Sequence, residues 1–566
     1  MLMVGGHVKA GVILSLGLIV LLFLIQGVFF IRANSPTYDE AAHLAAGYSY
    51  LAKRDFRINP ENPPLNKIFL ALPLFLGYRL PFNPDPQPWR DGRFFLIEQN
   101  FLYRSTIPAD QMLALSRLPN LFLGGSLMTL IGWWSYRMWG GGAAILAMGL
   151  ACFEPNVIAH SSLATTDIGV TLFIFLTIYF LWEYLNSPRW WLLAATSIAT
   201  GMALLSKFLA ILLIPMIGLI FAAFLLLTRE ECAFLPLRDS PKPLTKILQA
   251  ATALFLIVLP ALSLIPIAYF FQGWQPWFFG LQRLLSLARG GQPAFFLGEH
   301  SYQGWWSYYM VAFLMKTPVG SLVLITASVF FYRAGRSLDR REAVFLLAPV
   351  LIIFLTTTQS KTNIGLRHVL PVYPFLFVLA SRLATVRFSR RWVGQFLISI
   401  PVLVTAMSSL RIAPHQLAYF NELVGGPDQG YRYLGDSNLD WGQDLKGIKS
   451  YMEKENLPII YLSYFGTAPP SYYGIRYQYV PGAWPLEWPP PADKVPPETP
   501  RKILAISVQN LQDVSTSYDP LFKWLWSRQP VAKIGYSIFI YDLSDDREGL
   551  MKLEETYMKV GIRPPS

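Results

Sequence analysis

Runs of about twenty apolar residues recur along this chain, and they limit what it can fold into more than any other feature. Gly11–Ile31, Ile168–Trp182 with its flanks, Phe208–Leu227 and Ile247–Phe271 are each long enough, as helices, for a hydrocarbon core roughly 30 Å thick. Composition agrees: 53% of the 566 residues are hydrophobic and 14% charged, which excludes an ordinary cytosolic enzyme. The expected fold is a polytopic α-helical membrane protein. A formal charge of +12 could suggest nucleic acid, but the Lys and Arg residues fall mostly in short loops between apolar segments, where they set topology. No nucleic-acid partner is expected. Of the two cysteines, Cys152 lies in an apolar segment and Cys232 in a charged loop, so no structural disulfide is expected.

The first apolar run is long and has no small-residue cleavage pattern before the polar stretch after Ile31, so it reads as an uncleaved span. Spans near 10–31, 113–135, 140–157, 167–186, 190–206, 208–227, 247–270, 308–332, 343–357, 369–385 and 393–410 give about eleven helices. With the N-terminus cytoplasmic, the inner loops carry Arg137, Arg189, Arg229, Arg238, Lys242, Lys246, Arg333, Arg336, Arg340, Arg341, Arg382, Arg387, Arg390 and Arg391. The expected location is therefore the cytoplasmic (inner) membrane, with a loop at 32–110, a loop around 271–306 and everything after Arg411 on the outer side.

Two domains follow: a transmembrane part at 1–410 and an extracytoplasmic α/β domain at 411–566. In the first outer loop, Tyr38–Leu51 and Leu65–Leu76 have helical apolar spacing, and Asn59, Pro60, Pro63 and Pro64 force a turn between them. Two helices lying at the membrane surface fit that pattern. After Arg411, Asp440–Gln443 reads as a helix-start box before a helix at Asp444–Lys454. Strands are expected at Ile459–Tyr464, Ile503–Val508 and Tyr536–Tyr541, with a proline-rich loop at Trp484–Pro500.

Ionisable groups at the outer span ends are the informative ones, because charge near a bilayer is costly unless it faces a cavity or a ligand. Tyr38-Asp39-Glu40-Ala41-Ala42-His43 places two adjacent carboxylates just after the first span. Helix capping explains such a pair equally well. A further carboxylate then stands in a proline-fixed turn, Arg57-Ile58-Asn59-Pro60-Glu61-Asn62-Pro63-Pro64-Leu65-Asn66-Lys67.

Asp39-Glu40 after the first span, followed by Glu61-Asn62-Pro63-Pro64-Leu65, resembles the acidic pair and Pro-Pro-Leu turn of the protein mannosyltransferase superfamily, which includes the lipid A aminoarabinose transferases. The resemblance extends through His160–Asp167, Leu204–Lys207, Gly304–Trp306, Lys316–Pro318 and Lys361–Pro374, so it covers most of 1–410. Asn62 departs from it, since many relatives carry His or Lys there. The resemblance implies a GT-C fold and a glycosyltransferase that uses a polyprenyl-phosphate sugar outside the cytoplasm. It also implies Asp39 and Glu40 as the catalytic pair, and a supporting acidic residue at Asp167.

The residue types suit that chemistry. Sugar transfer needs a base for the acceptor proton, a role open to Asp39, and cations for the departing phosphate. Arg57, Lys207, Lys361 and Arg367 lie at headgroup depth, although snorkelling explains any one of them equally well. With Glu61, Asn62, Asp167 and His368 they make up the expected substrate-binding set. A divalent metal is an open expectation, for which Glu61 with His43 or His300, or with His160 or His368, could supply ligands without any local spacing that enforces it. The aromatic blocks Trp274–Phe279 and Trp305–Trp306 suit interfacial anchoring. The expected function is transfer of one sugar, with anomeric inversion, to an extracytoplasmic protein, lipid or glycan. A polytopic transporter or lipid flippase is the alternative, and the Gly435–Asp444 stretch reads as a folding turn.

Overall fold

The computed structural model describes residues 10–84, 86–227, 234–236, 243–331, 335–336, 338–482, 493–496 and 498–561. Arg229, Arg238, Lys242, Arg333, Cys232 and most of Trp484–Pro500 lie outside the described residues. Helix occurs at each of the eleven positions expected to span. Among the described residues five qualify outright by length and apolarity: Ala10–Ala33, Asp167–Asn186, Phe208–Leu227, Thr245–Ala268 and Trp392–Ile412. Two bent pairs raise the number to seven, because Pro155 and Pro318 interrupt the backbone ladder. Gly141–Cys152 turns by 69° into Pro155–Ser161, and Tyr308–Lys316 turns by 113° into Val319–Phe330. The protein is thus a helical membrane protein with several apolar spans and a small C-terminal sheet.

Helix Asp167–Asn186 sits at the centre of the bundle and is buried over most of its length, whereas Ala10–Ala33 and Arg391–Ile412 show mainly exposed apolar side chains, as a lipid-facing helix does. Helix Ala109–Trp139 crosses beside Ala10–Ala33 and carries a fully buried Arg117 near its start.

Both expected surface helices form, at Glu40–Lys53 and Pro64–Gly77. They pack closely because Gly47 has no side chain: a Cβ there would stand 1.9 Å from the Lys67 carbonyl oxygen. A further helix at Phe94–Tyr103, unforeseen in the sequence, packs against the first of them.

The C-terminal part holds a five-stranded mixed sheet in the order Tyr477–Tyr479, Ile460–Ser463, Ile503–Ser507, Ile538–Asp542, Ala532–Ile534. The first two neighbouring pairs are parallel and the last two antiparallel. Leu445–Lys454 is helical as expected, but Asp440–Gln443 is not its cap. Asp440 instead accepts the Gly442 and Gln509 amide N–H groups at 3.2 and 3.1 Å.

Residues 412–444 are no loose connection. Lys316 Nζ donates to the Leu417, Tyr419 and Asn438 carbonyls, and Asn421 Nδ2 donates to Leu314 and Thr317 at 2.6 and 2.9 Å. These bonds clasp the segment onto the break in the bent pair. From the other side, the Ser35 and Tyr38 amides donate to the Gln443 and Trp441 carbonyls, both at 2.8 Å.

Candidate active site

The chain leaves the first span through a tight turn that aims Asp39. Arg117 holds that turn: its guanidinium donates to the Ile31, Asn34 and Ser35 carbonyls and, through Nε and Nη2, to both oxygens of Glu40 at 2.8 and 2.7 Å. Glu40 also accepts from the Thr37 and Ala164 amides at 2.8 and 2.6 Å. Burial alone would raise its carboxyl pKa, but the guanidinium and the amides hold it below the usual range. With no exposed surface and both oxygens engaged, Glu40 cannot meet a substrate. It positions the turn, and its expected catalytic place is corrected accordingly.

Asp39, one residue earlier, faces a cavity of about 460 Å³ together with Tyr38, Gln292, Arg367, Asp436, Trp441 and Gln509. Its side chain is 31% exposed, and Oδ2 accepts from Arg367 Nη1 at 2.8 Å. Arg367 lies over the Trp441 ring, 4.2 Å from the centroid. Its Nε is buried and has no hydrogen-bond partner among the described residues. Asp39, Asp167 and Asp436 all act on this guanidinium and, against the cost of burial, keep it firmly charged.

Asp167 sits at the start of the central span, where its Oδ1 accepts from Lys207 Nζ at 2.6 Å. Among the described residues its other oxygen has no hydrogen-bond partner, and it stands 3.9 Å from His160 Nδ1, which has none there either. His368 Nε2 is likewise buried without a partner, and burial together with the cations Lys207 and Arg367 drives its pKa well below the ordinary value. Two ion pairs, Asp39–Arg367 and Asp167–Lys207, thus stand near one another with donors and acceptors to spare. That arrangement suits an incoming anion.

Glu61 and Asn62 stay with their own turn. Asn59 Nδ2 donates to Glu61 at 2.7 Å, and Asn62 donates weakly to Asn59 at 3.3 Å. Lys67, quoted in the motif but given no role, organises this turn: its buried Nζ donates to the Asn59 and Asn62 carbonyls and to Tyr50 Oη at 2.6 to 2.7 Å. Glu98 was missed altogether. Burial, then the charges of Glu61 and Asp39, push its carboxyl up to about 7, so it joins the two carboxylate regions electrostatically. Its helix shows no charge pattern in the sequence that would reveal this.

Two expected ligands do not join the group. Arg57 is half exposed, paired with Asp55 at 2.7 Å and stacked on Trp89. Lys361 is exposed beside Gly291 and does not line the cavity. Both expectations relied on position at a span end, which fixes depth but not direction.

The metal candidates do not fit together. His43 Nδ1 is bonded to the Ala164 carbonyl at 3.1 Å, His300 Nε2 to the Gln512 carbonyl at 2.6 Å, and Glu61 to Asn59. Among the described residues, no three His, Cys, Asp or Glu side chains stand close enough to hold an ion. No step is therefore routed through a metal.

Comparison with known proteins adds the following. Residues 94–271 match the family model of dolichyl-phosphate-mannose-protein mannosyltransferase. No curated protein matches the chain. Among solved structures, ArnT from Cupriavidus metallidurans bound to undecaprenyl phosphate is similar at 14% identity and a TM-score of 0.49, over 95% of this chain and 98% of that one. The Archaeoglobus fulgidus oligosaccharyltransferase in the apo form is similar at 10% identity and a TM-score of 0.44, over 78% of this chain and 58% of that one. The family match takes in Arg117, Asp167 and Lys207 but ends short of Asp39 and Arg367 on either side. Over residues 94–271 the chain therefore carries the pattern of the mannosyltransferase family that its shorter motifs resemble.

Proposed function

We propose that this protein is an integral-membrane glycosyltransferase that moves a sugar from a polyprenyl-phosphate carrier to a hydroxyl or other nucleophile of an acceptor on the outer side of the membrane. The observation that carries this reading is the Asp39–Arg367 pair at a cavity, with Arg367 Nε still unpartnered. The family match over 94–271 supports the same class of reaction.

The pair implies an order of events. Arg367 engages the carboxylate that must later take a proton. A donor phosphate attracts the guanidinium through Nε and Nη, with Lys207 supplying a second positive charge from behind. Drawing Arg367 toward the phosphate frees Asp39. The acceptor oxygen then attacks the anomeric carbon, its proton passes to Asp39, the bond from anomeric carbon to phosphate oxygen breaks, and the carrier leaves as its phosphate. Attack opposite the leaving group inverts the anomeric centre.

The test is transfer of radiolabelled sugar from polyprenyl-phosphate donors to envelope acceptors by the purified protein. Incorporation that Asp39→Asn lowers by about two orders of magnitude, with the fold retained, is the expected result. Lipid movement across vesicles without any incorporation would favour the transporter alternative instead.

A further inference from the structure

The wall of the cavity opposite the spans comes from the soluble part of the chain, through Asp436, Trp441, Phe465, Gln509 and Ser515. The sequence reading gave Asp436 no more than a place in a turn. It is indeed in a turn, with a φ of 55°, and its Oδ1 accepts from the Ser437 amide at 2.6 Å. Its amide in turn donates to Gln509 Oε1 at 2.8 Å. Those two bonds fix the orientation of both side chains. Neither bond uses Asp436 Oδ2 or the Gln509 amide nitrogen, an acceptor and a donor on the same wall.

From this wall we infer that the soluble domain reads the sugar: Asp436 and Gln509 hydrogen-bond the ring hydroxyls of a neutral monosaccharide while the edges of the stacked Tyr38 and Phe465 rings border its C–H surface. The inference rests on the proposed transfer reaction. Adjacent hydroxyls of a pyranose present a donor and an acceptor together, the complement of a carboxylate oxygen beside an amide N–H. Tyr38 and Phe465 stack at 5.3 Å with only 15° between their planes, and one comes from each half of the chain. The charges divide the cavity. Asp436 repels a phosphate, so the carrier headgroup belongs at the Arg367 and Lys207 side and the sugar at the Asp436 side. A cavity of about 460 Å³ has room for a monosaccharide but not for a long glycan. Asp436 is a specificity residue in this arrangement, and it takes no proton from the acceptor.

The experiment compares binding of two probes to the full-length protein in nanodiscs: bare undecaprenyl phosphate, and undecaprenyl phosphate carrying glucose, galactose or mannose. Wild type is expected to bind at least one sugar-bearing lipid about tenfold more tightly than the bare carrier. Asp436→Asn, which suits the same left-handed backbone, should remove most of that preference, while the bare carrier, relieved of the Asp436 charge, binds no more weakly than to wild type. Ser515→Phe, at an exposed position on the cavity rim, should likewise remove the preference by filling space, without touching any buried bond. Equal loss for both probes, or no loss in either variant, overturns the inference, as does a wild type that prefers none of the three sugars. A wild type that binds neither the bare nor the sugar-bearing carrier overturns instead the transfer reaction beneath it.

Discussion

Neighbouring carboxylates at 39 and 40 have opposite duties, and the difference lies in what each oxygen already touches. Glu40 is enclosed with Arg117, and breaking such a pair from one side leaves a buried charge unmatched, at a cost of about 3–5 kcal/mol. Glu40→Gln should therefore lower the melting temperature sharply in detergent. Asp39→Asn should leave it unchanged while turnover collapses. A Glu40→Gln protein that melts normally yet is inactive would return Glu40 to the chemistry. Arg367→Ala should weaken binding of undecaprenyl phosphate about tenfold or more, and Arg367→Lys should recover only part, since an ammonium cannot hold two phosphate oxygens in one planar fork. Unchanged carrier affinity in Arg367→Ala would remove the phosphate from this site. In the sequence the pair Asp39-Glu40 was legible as a feature but not as a division of labour, because the partner that separates them, Arg117, is 77 residues away from Glu40.

At the scale of elements, the apolar runs and the proline turn located the helices at the eleven expected spans and the two surface helices, since hydrophobic periodicity is a local property, but not those at Phe94–Tyr103, Gln275–Gly290 and Arg547–Lys559. What stayed hidden was direction. Lys361 and Arg367 lie six positions apart in one irregular segment, and only Arg367 turns inward, where the Trp441 ring and Asp39 receive it. The two bends at Pro155 and Pro318 were also invisible as bends, because an apolar window averages across them. Helices Glu40–Lys53 and Pro64–Gly77 bear on function through their spacing. Gly47→Ala must push its new methyl into the Lys67 backbone, so it should cost about 1–3 kcal/mol and raise the donor KM by displacing the 59–62 turn. Thermal melting with donor titration checks this, and an unaffected protein would show that the turn is set from elsewhere.

For the whole molecule, two acids hold their protons unusually long: Asp436, which lines the cavity, and Glu98, which does not. Asp436 is pushed up to about 6, first by burial and then by Asp39, against the pull of Arg367, and Glu98 up to about 7. Free Asp and Glu side chains titrate near 4, so between about pH 4 and pH 7 the folded protein keeps protons that the unfolded chain has released. Stability should fall as pH rises through that window, by up to about 1.4 kcal/mol per pH unit for each group, and level off above it. Glu98→Gln should flatten that fall, as melting temperatures at pH 5 and pH 8 would reveal. An identical slope in the variant would mean that Glu98 is ionised throughout.

The bonds from the Ser35 and Tyr38 amides to the Gln443 and Trp441 carbonyls also bear on how the protein is made. The Leu445 amide donates to Ser35 Oγ, closing a loop of 410 residues, and the Trp441 and Gln443 carbonyls seal the same turn beside Asp39. A ribosome that has already threaded every span into the bilayer has therefore not yet produced the far wall of the cavity. The half-made chain is inserted but lacks that wall, so the proposed transfer has to wait for the residues after 410.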